Sequence, residues 1–167
     1  MTNEPSSPVC YGADADDAYM GYASRDEILA ALNELLEAER AGARVALASA
    51  RSEPDLTYRD LMLAVRADEA RWCAMLSRQI RRLDGTPSRK TGSFYVKALA
   101  ISGALDRLAF LNRGQGWVVR KLEALTPRIR DDVLFADLRA MLDSHRTNID
   151  RACAFLDPNK GSRYSSP

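Results

Sequence analysis

The chain has 167 residues, which is enough for one domain that buries a single hydrophobic core. Hydrophobic residues make up 46% of it and charged residues 28%, as is ordinary for a globular protein, and the net charge of +1 gives no reason to expect a nucleic-acid or membrane partner. Three cysteines without a CxxC spacing indicate neither a disulfide framework nor a cysteine zinc site, so we expect reduced thiols and a cytoplasmic location. The sequence also lacks an apolar run of roughly 20 residues and a signal-peptide pattern.

Both ends of the chain are expected to be flexible tails. Residues 1–22 carry four acidic residues and no Lys or Arg, and prolines and glycines interrupt them. We therefore expect residues 1–23 to form an acidic tail that folding does not require, residues 24–157 to form the domain, and residues 158–167 to form a polar tail.

Apolar residues recur at helical steps in four long stretches, and none alternates like a strand, so the predicted fold class is all-α. Ser24 and Glu27 form a capping-box pattern that opens a helix over residues 25–52, and Pro54 ends it. The other long helices are predicted over residues 57–83, 103–126 and 131–156.

The connection between the second and third long helices exceeds the usual few residues. It holds a small apolar cluster that predicts a short extra helix lying across the others, made of Phe94, Tyr95, Val96 and Leu99.

Each long helix places a polar residue on its own apolar stripe, and the four residues that point to function are Glu39, Glu69, Gln115 and His145. A carboxylate in such a position is unfavourable to bury unless its charge is compensated. On the third long helix the stripe begins at Leu105. Gly114 and Gly116 flank the polar residue of that helix, which indicates a close approach or a local bulge there.

The spacing of the four polar residues brings them to one level. Glu39 and Glu69 are 30 residues apart, with their midpoint at Pro54. Gln115 and His145 are also 30 residues apart, with their midpoint close to the break between the last two helices. Residues equally far from the turn of an antiparallel helix pair lie at the same height. We therefore predict an antiparallel up-down four-helix bundle in which the four polar side chains converge near the middle.

With these features the chain resembles the ferritin-like superfamily. It is most similar to an uncharacterised bacterial ferritin-like family through the stretches LNELLEAERAGAR, DEARWCAML and FLNRGQGWVVRKL, and the resemblance spans about Asp26 to Leu156. It implies a ferritin-like bundle, and the general pattern of that superfamily implies a di-iron site with a Glu on one helix and Glu-x-x-His on the next, repeated once.

The match to this di-iron pattern is partial. Glu39 and Glu69 match the first two glutamates, but Trp72 stands at the position of the first histidine. In the second half His145 is present, whereas a glutamine replaces one glutamate and Leu142 the other. Two carboxylates and one imidazole are too few for the usual pair of metals, so di-iron catalysis is not expected, and we assign no catalytic residue.

Two interpretations of the remaining polar residues stay open. In the first, hydrogen bonds from Gln115, Asn112 and His145, or an inward Arg113, hold the carboxylates without metal, and the protein has a structural or interaction role, for example as a homodimer or with another protein partner. In the second, one Fe, Mn or Zn ion is bound by three ligands and a fourth neutral oxygen, which are Glu39, Glu69, His145 and Gln115. Oxygen or peroxide chemistry would then be implied by the resemblance alone.

Overall fold

The structure, a computed structural model, describes residues 20–157, which are helical without any strand. The helices are α1 (Arg25–Ser52), α2 (Leu56–Arg82), α3 (Phe94–Leu99), α4 (Ala104–Leu125) and α5 (Asp132–Leu156), with a 3₁₀ turn at Thr126–Arg128 between the last two. The all-α fold class is confirmed, and each end of the four long helices lies within one residue of its predicted position. The acidic and polar tails fall mostly outside the described residues, at 1–19 and 158–167.

Side-chain caps place the starts of three long helices. At α1 the Ser24 hydroxyl accepts from the main-chain N–H of Glu27 at 3.3 Å, and the Glu27 carboxylate accepts from the Ser24 N–H at 2.8 Å. Asp55 and Asp131 cap α2 and α5, each accepting a main-chain N–H three residues further on at 2.7 Å. These bonds satisfy amides that have no partner within the helix.

The two hairpins, α1 with α2 and α4 with α5, are antiparallel as predicted, and α1 is also antiparallel to α4. Glu27 at the start of α1 pairs with Arg128 just after α4 at 3.0 Å, and Ser52 at the end of α1 accepts from Arg107 near the start of α4. The connection 83–103 therefore crosses the full length of the bundle. As a result α2 and α4 point the same way. The ferritin-like bundle is as predicted, but its helices do not alternate strictly up and down, because the long connection reverses the expected direction of the second hairpin.

Polar side chains of α1 hold this crossover connection along its path. Arg25 donates to the carbonyl of Leu83 at 3.0 Å. Further along α1, Asn33 accepts from the N–H of Ser88 at 2.6 Å, and Arg40 donates to the Ser88 carbonyl at 2.8 Å. The connection then enters α3, the predicted short helix, which packs against α1 and α4.

Two apolar clusters fill the interior, one toward each end of the bundle. The first includes Leu32, Leu76, Leu122 and Leu138, and the second includes Val45, Met62, Leu108 and Ala152. Leu105 does not belong to them, because it lies in the first turn of α4 and is 54% exposed, so its predicted place on the buried stripe is wrong. None of the helices within residues 20–157 is both long and apolar enough to span a lipid bilayer.

Candidate metal centre

The four predicted polar residues all lie inside the bundle, between the two apolar clusters. Their side chains belong to residues that are almost completely buried, with exposed fractions of 0% for Glu39, 4% for Glu69, 4% for Gln115 and 1% for His145. Each comes from a different long helix, so the matched spacing along the chain does correspond to one level in space.

The imidazole of His145 faces the carboxylate of Glu39. Its Nδ1 lies 3.0 Å from the main-chain oxygen of Met141, and a carbonyl can only accept, so Nδ1 carries the proton. The other nitrogen, Nε2, lies 3.1 Å from Glu39 Oε1. In a neutral imidazole Nε2 has a lone pair directed at that oxygen, so the contact is favourable only with a proton or a cation between the two atoms.

Glu69 is held from two sides. Gln115 Nε2 donates to Glu69 Oε1 at 2.7 Å. On α1, Gly42 leaves the space that the carboxylate occupies, since a Cβ built there would lie 2.7 Å from Glu69 Cδ. Within residues 20–157, Glu39 Oε2 and the oxygen of the Gln115 amide are buried without a hydrogen-bond partner in this arrangement.

Burial makes the charged form of both carboxyl groups unfavourable. It raises the pKa of Glu39 to about 8, and the nearby Asp68 adds to the rise. Burial and the adjacent Glu39 raise the pKa of Glu69 well above its usual range, which His145 partly opposes. A proton shared between the two carboxyl groups would lower this repulsion, and so would a bound cation.

Two of the predicted stabilising partners are wrong. Arg113 is exposed, and its guanidinium lies 5.4 Å from the centre of the Phe110 ring rather than near the carboxylates. Asn112 donates to Cys153 Sγ at 3.3 Å instead of to a glutamate. At about 100° per residue, Asn112 points about 60° away from the inward direction of Gln115 and Arg113 about 160° away, so neither side chain is directed at the carboxylates.

The ligating atoms of Glu39, Glu69 and His145 lie within 4.8 Å of one another. Metal–oxygen and metal–nitrogen bonds are about 2.1 Å long, so two ligands on opposite sides of one ion are at most about 4.2 Å apart. A pair of ligand atoms at the full 4.8 Å would therefore have to close in by about 0.6 Å around a single ion, and by more at tetrahedral angles.

Residues 26–154 match the family described as a domain of unknown function, DUF6306. The chain belongs to this family. None of the curated proteins matches the sequence of this chain.

Two solved structures show that this member of DUF6306 has a ferritin-like fold. One is a ferritin-like, diiron-carboxylate protein from Bacillus anthracis str. Ames, with 15% identity, a TM-score of 0.73, and coverage of 80% of this chain and 97% of that one. The other is a two-domain protein with DJ-1/ThiJ/PfpI-like and ferritin-like domains from Anabaena variabilis ATCC 29413, with 14% identity, a TM-score of 0.68, and coverage of 99% of this chain and 47% of that one. At these identities the likeness concerns the fold alone.

In this DUF6306 chain, packed apolar side chains stand at two positions where the di-iron pattern has metal ligands. Trp72 is 6% exposed, and the guanidinium of Arg71 covers its ring at 4.2 Å. Leu142 is 2% exposed within the first apolar cluster. Cys73, next to the tryptophan, has its thiol pKa raised to about 12 by burial, so it is neither a ready ligand nor a nucleophile. The donor set of the DUF6306 site therefore fits one ion and not two.

Gly114 on α4 makes the close approach that its position predicts, because a Cβ there would lie 2.7 Å from Phe94 Cζ of α3. Gly116 does not, since its nearest neighbour would be Arg120 Nη1 at 3.6 Å, and α4 runs through both glycines without a bulge.

A cavity of about 570 Å³ lies between α1 and α4, beside α3, and Glu69 and Gln115 are among its lining residues. Sequence reasoning missed this cavity and the role of Gly42. The only indication available was a glycine in the middle of a helix three residues after Glu39, at a position where glycine is unfavourable without a packing reason.

Proposed function

We propose that the protein binds one divalent metal ion through Glu39, Glu69 and His145, with the Gln115 amide oxygen as a fourth, neutral ligand. The observation that carries the proposal is the meeting of three buried ligand atoms within 4.8 Å. Since Glu39 Oε2 and the Gln115 oxygen have no hydrogen-bond partner within the described chain, an ion would satisfy atoms that the protein alone leaves unpaired.

The charges and ligand types support a single ion. Two carboxylates would balance the charge of one divalent cation and remove the repulsion that burial makes severe. Carboxylate and amide oxygens with one imidazole suit Fe, Mn or Zn. The hydrogen bond from His145 Nδ1 to Met141 holds the ring with Nε2 toward the site, as a supporting partner of a ligating histidine does. A bound ion would supply a Lewis acid there, and the oxygen or peroxide chemistry suggested by the resemblance would additionally require a redox-active metal.

A second candidate is a metal-free bundle with a structural or interaction role. It is favoured by the closeness of the buried Glu39 and Glu69 carboxyl groups, whose oxygens lie within 4.8 Å of each other, because one proton between them would remove their repulsion. Together with the bond from Gln115, such a proton would give a closed polar network inside the core. Both candidates lack a di-iron centre, and they differ in whether a metal is the compensating group.

Metal content separates the two candidates. Protein purified without chelator should contain about one equivalent of Fe, Mn or Zn by elemental analysis, and chelation should lower its melting temperature. An ion at a hundredfold excess over its dissociation constant stabilises the fold by about 2.7 kcal/mol, which is a measurable shift. Glu69→Gln and His145→Ala should each abolish the response to chelator.

Asn148→Ala is the matched control for the histidine variant. Asn148 is a buried polar residue on α5 close to His145, but it donates to Asp68 at 3.1 Å and is not a ligand. This variant should be less stable and still respond to chelator. The metal proposal fails if the purified protein contains no metal and its melting temperature is the same with added Mn²⁺, Zn²⁺ or chelator. The four polar residues would then form the metal-free network.

A further inference from the structure

The cavity between α1 and α4 reaches the polar site from one side only. Glu69 and Gln115 line it, whereas Glu39 and His145 are not among its lining residues. Its volume of about 570 Å³ lies within the range of sites that bind small organic molecules. The site thus has a closed side, at the histidine, and a side that a small molecule can approach.

The walls of the cavity are mainly apolar. Small residues of α1 form one wall, and larger apolar residues of α4 form the opposite one, namely Ala38 and Ala41 on α1, and Leu111, Trp117 and Val118 on α4. Phe94 of α3 completes the lining, in a stacked pair with Phe110 whose ring centres are 4.8 Å apart. Such a surface favours the apolar body of a ligand.

The inner end of the cavity is different, because it presents hydrogen-bond acceptors. Gln115 is 4% exposed, and its amide oxygen has no partner among the described residues once its nitrogen donates to Glu69. The Glu69 carboxylate lies beside it in the space left by Gly42. A ligand group that meets these two acceptors must donate hydrogen bonds, and a positive charge would also compensate the buried carboxylates.

The lining also contains two basic residues, Lys97 and Arg113, of which Arg113 lies over the Phe110 ring, and two further acidic residues that already have partners of their own. Glu34 pairs with Lys121 at 2.9 Å, and Glu37 accepts from the Ser88 hydroxyl at 2.5 Å. The acidic charge that lacks a partner is therefore the one at the inner end.

We infer that this cavity binds a small apolar molecule carrying a primary ammonium group, with the ammonium donating to Glu69 and to the Gln115 amide oxygen and the apolar body lying between α1 and α4. This inference goes beyond the proposed metal site and concerns the metal-free protein, because the ammonium takes two of the groups that the proposed ion would use. A primary ammonium has three donors and no acceptor, which matches the Gln115 oxygen and the ionised form of the Glu69 carboxyl group, the form that a nearby positive charge favours. A carboxylate head group would be repelled by Glu69, and a head group without donors would leave Gln115 unpaired.

The test uses the full chain, freed of metal by chelation, and a set of probes with the same ring. Phenethylamine should bind in isothermal titration calorimetry and should shift the amide NMR signals of residues 38–42 and 114–118. Phenethyl alcohol, ethylbenzene and hydrocinnamate should bind at least tenfold more weakly. Glu69→Gln and Gln115→Leu should each weaken phenethylamine binding about tenfold, because each removes an acceptor or a charge while keeping the shape nearly the same.

Ala38→Phe fills the cavity from α1 and should abolish phenethylamine binding, while Ala64→Phe, the same change at an exposed position of α2, should leave it unchanged. The inference is overturned if folded protein shows neither heat nor shifts with phenethylamine, if the alcohol binds as tightly as the amine, or if Ala38→Phe still binds the amine. A separate titration of the same protein with Mn²⁺ or Zn²⁺ tests the proposed metal site, so either idea can fail while the other stands.

Discussion

Replacing Gly42 with alanine tests the space that the site needs inside α1. An added Cβ would lie 2.7 Å from Glu69 Cδ, a distance at which one of the two must move. The Glu69 side chain is 4% exposed and bonded to Gln115, so moving it would break a buried hydrogen bond. We therefore expect Gly42→Ala to destabilise the protein and to weaken metal binding.

The size of the effect follows from three contributions. Overpacking a filled interior destabilises by about 1–3 kcal/mol. Losing the hydrogen bond from Gln115 adds about 1 kcal/mol or more. Alanine in place of a mid-helix glycine contributes about 1 kcal/mol in the opposite direction. The net destabilisation of the metal-free protein should be about 1–3 kcal/mol, measured by urea unfolding at equilibrium.

Gly116→Ala is the control, because it makes the same change in the middle of α4 where the nearest atom would be 3.6 Å away. It should stabilise the protein by about 0.5–1 kcal/mol and leave metal affinity as it is. If Gly42→Ala proves as stable as Gly116→Ala and binds metal equally well, Glu69 does not occupy the space beside α1 and the described site is wrong.

Three more outcomes are expected. The pKa values of Glu39 (about 8) and Glu69 are raised above the ordinary 4.5, so between about pH 5 and 8 the folded metal-free protein holds more protons than the unfolded chain, and its stability should fall as pH rises through this range. The slope is up to about 1.4 kcal/mol per pH unit for each proton, and a urea midpoint that increases with pH would contradict the expectation. Leu76→Ala, at a fully buried core position, should lower the free energy of unfolding by about 2–5 kcal/mol without altering metal content, whereas an effect below 1 kcal/mol would show a looser core. Gly114→Ala should displace Phe94 and destabilise by about 1–3 kcal/mol in the same urea assay, despite the better helix propensity of alanine, and a stabilised variant would argue against that contact.

Much of the bundle could be predicted because its determinants are local or periodic. The capping box at Ser24 and the break at Pro54 are short patterns with direct geometric meaning. The common height of the four polar residues could be predicted from their equal distances to the connection within each hairpin, and all four are buried as that prediction requires. Leu105 shows the limit of periodicity, since an apolar stripe can extend in the sequence to the end of a helix, where no neighbouring helix covers it.

Features that depend on how separate elements meet were beyond the sequence alone. The direction of α4 relative to α2 depends on where the connection 83–103 runs, and side chains of α1 such as Arg40 define that path. The direction of Asn112 depends on the exact rotation of α4 about its axis, which a stripe of alternating steps leaves uncertain by a residue. The cavity arises from small residues on two helices and a third element across them, and no single stretch of sequence records it.

The two hydrogen-bonded contacts in the polar layer both join one helical hairpin to the other. His145 on α5 meets Glu39 on α1, and Gln115 on α4 meets Glu69 on α2. Apolar stripes of this kind tolerate sliding by one helical turn, about 5.4 Å, since one leucine can replace another in a contact. A slide of that size would bury all four polar groups without partners, so the layer fixes the alignment of the two hairpins. The same residues that we propose as metal ligands thus also select one assembly of the bundle over its shifted alternatives.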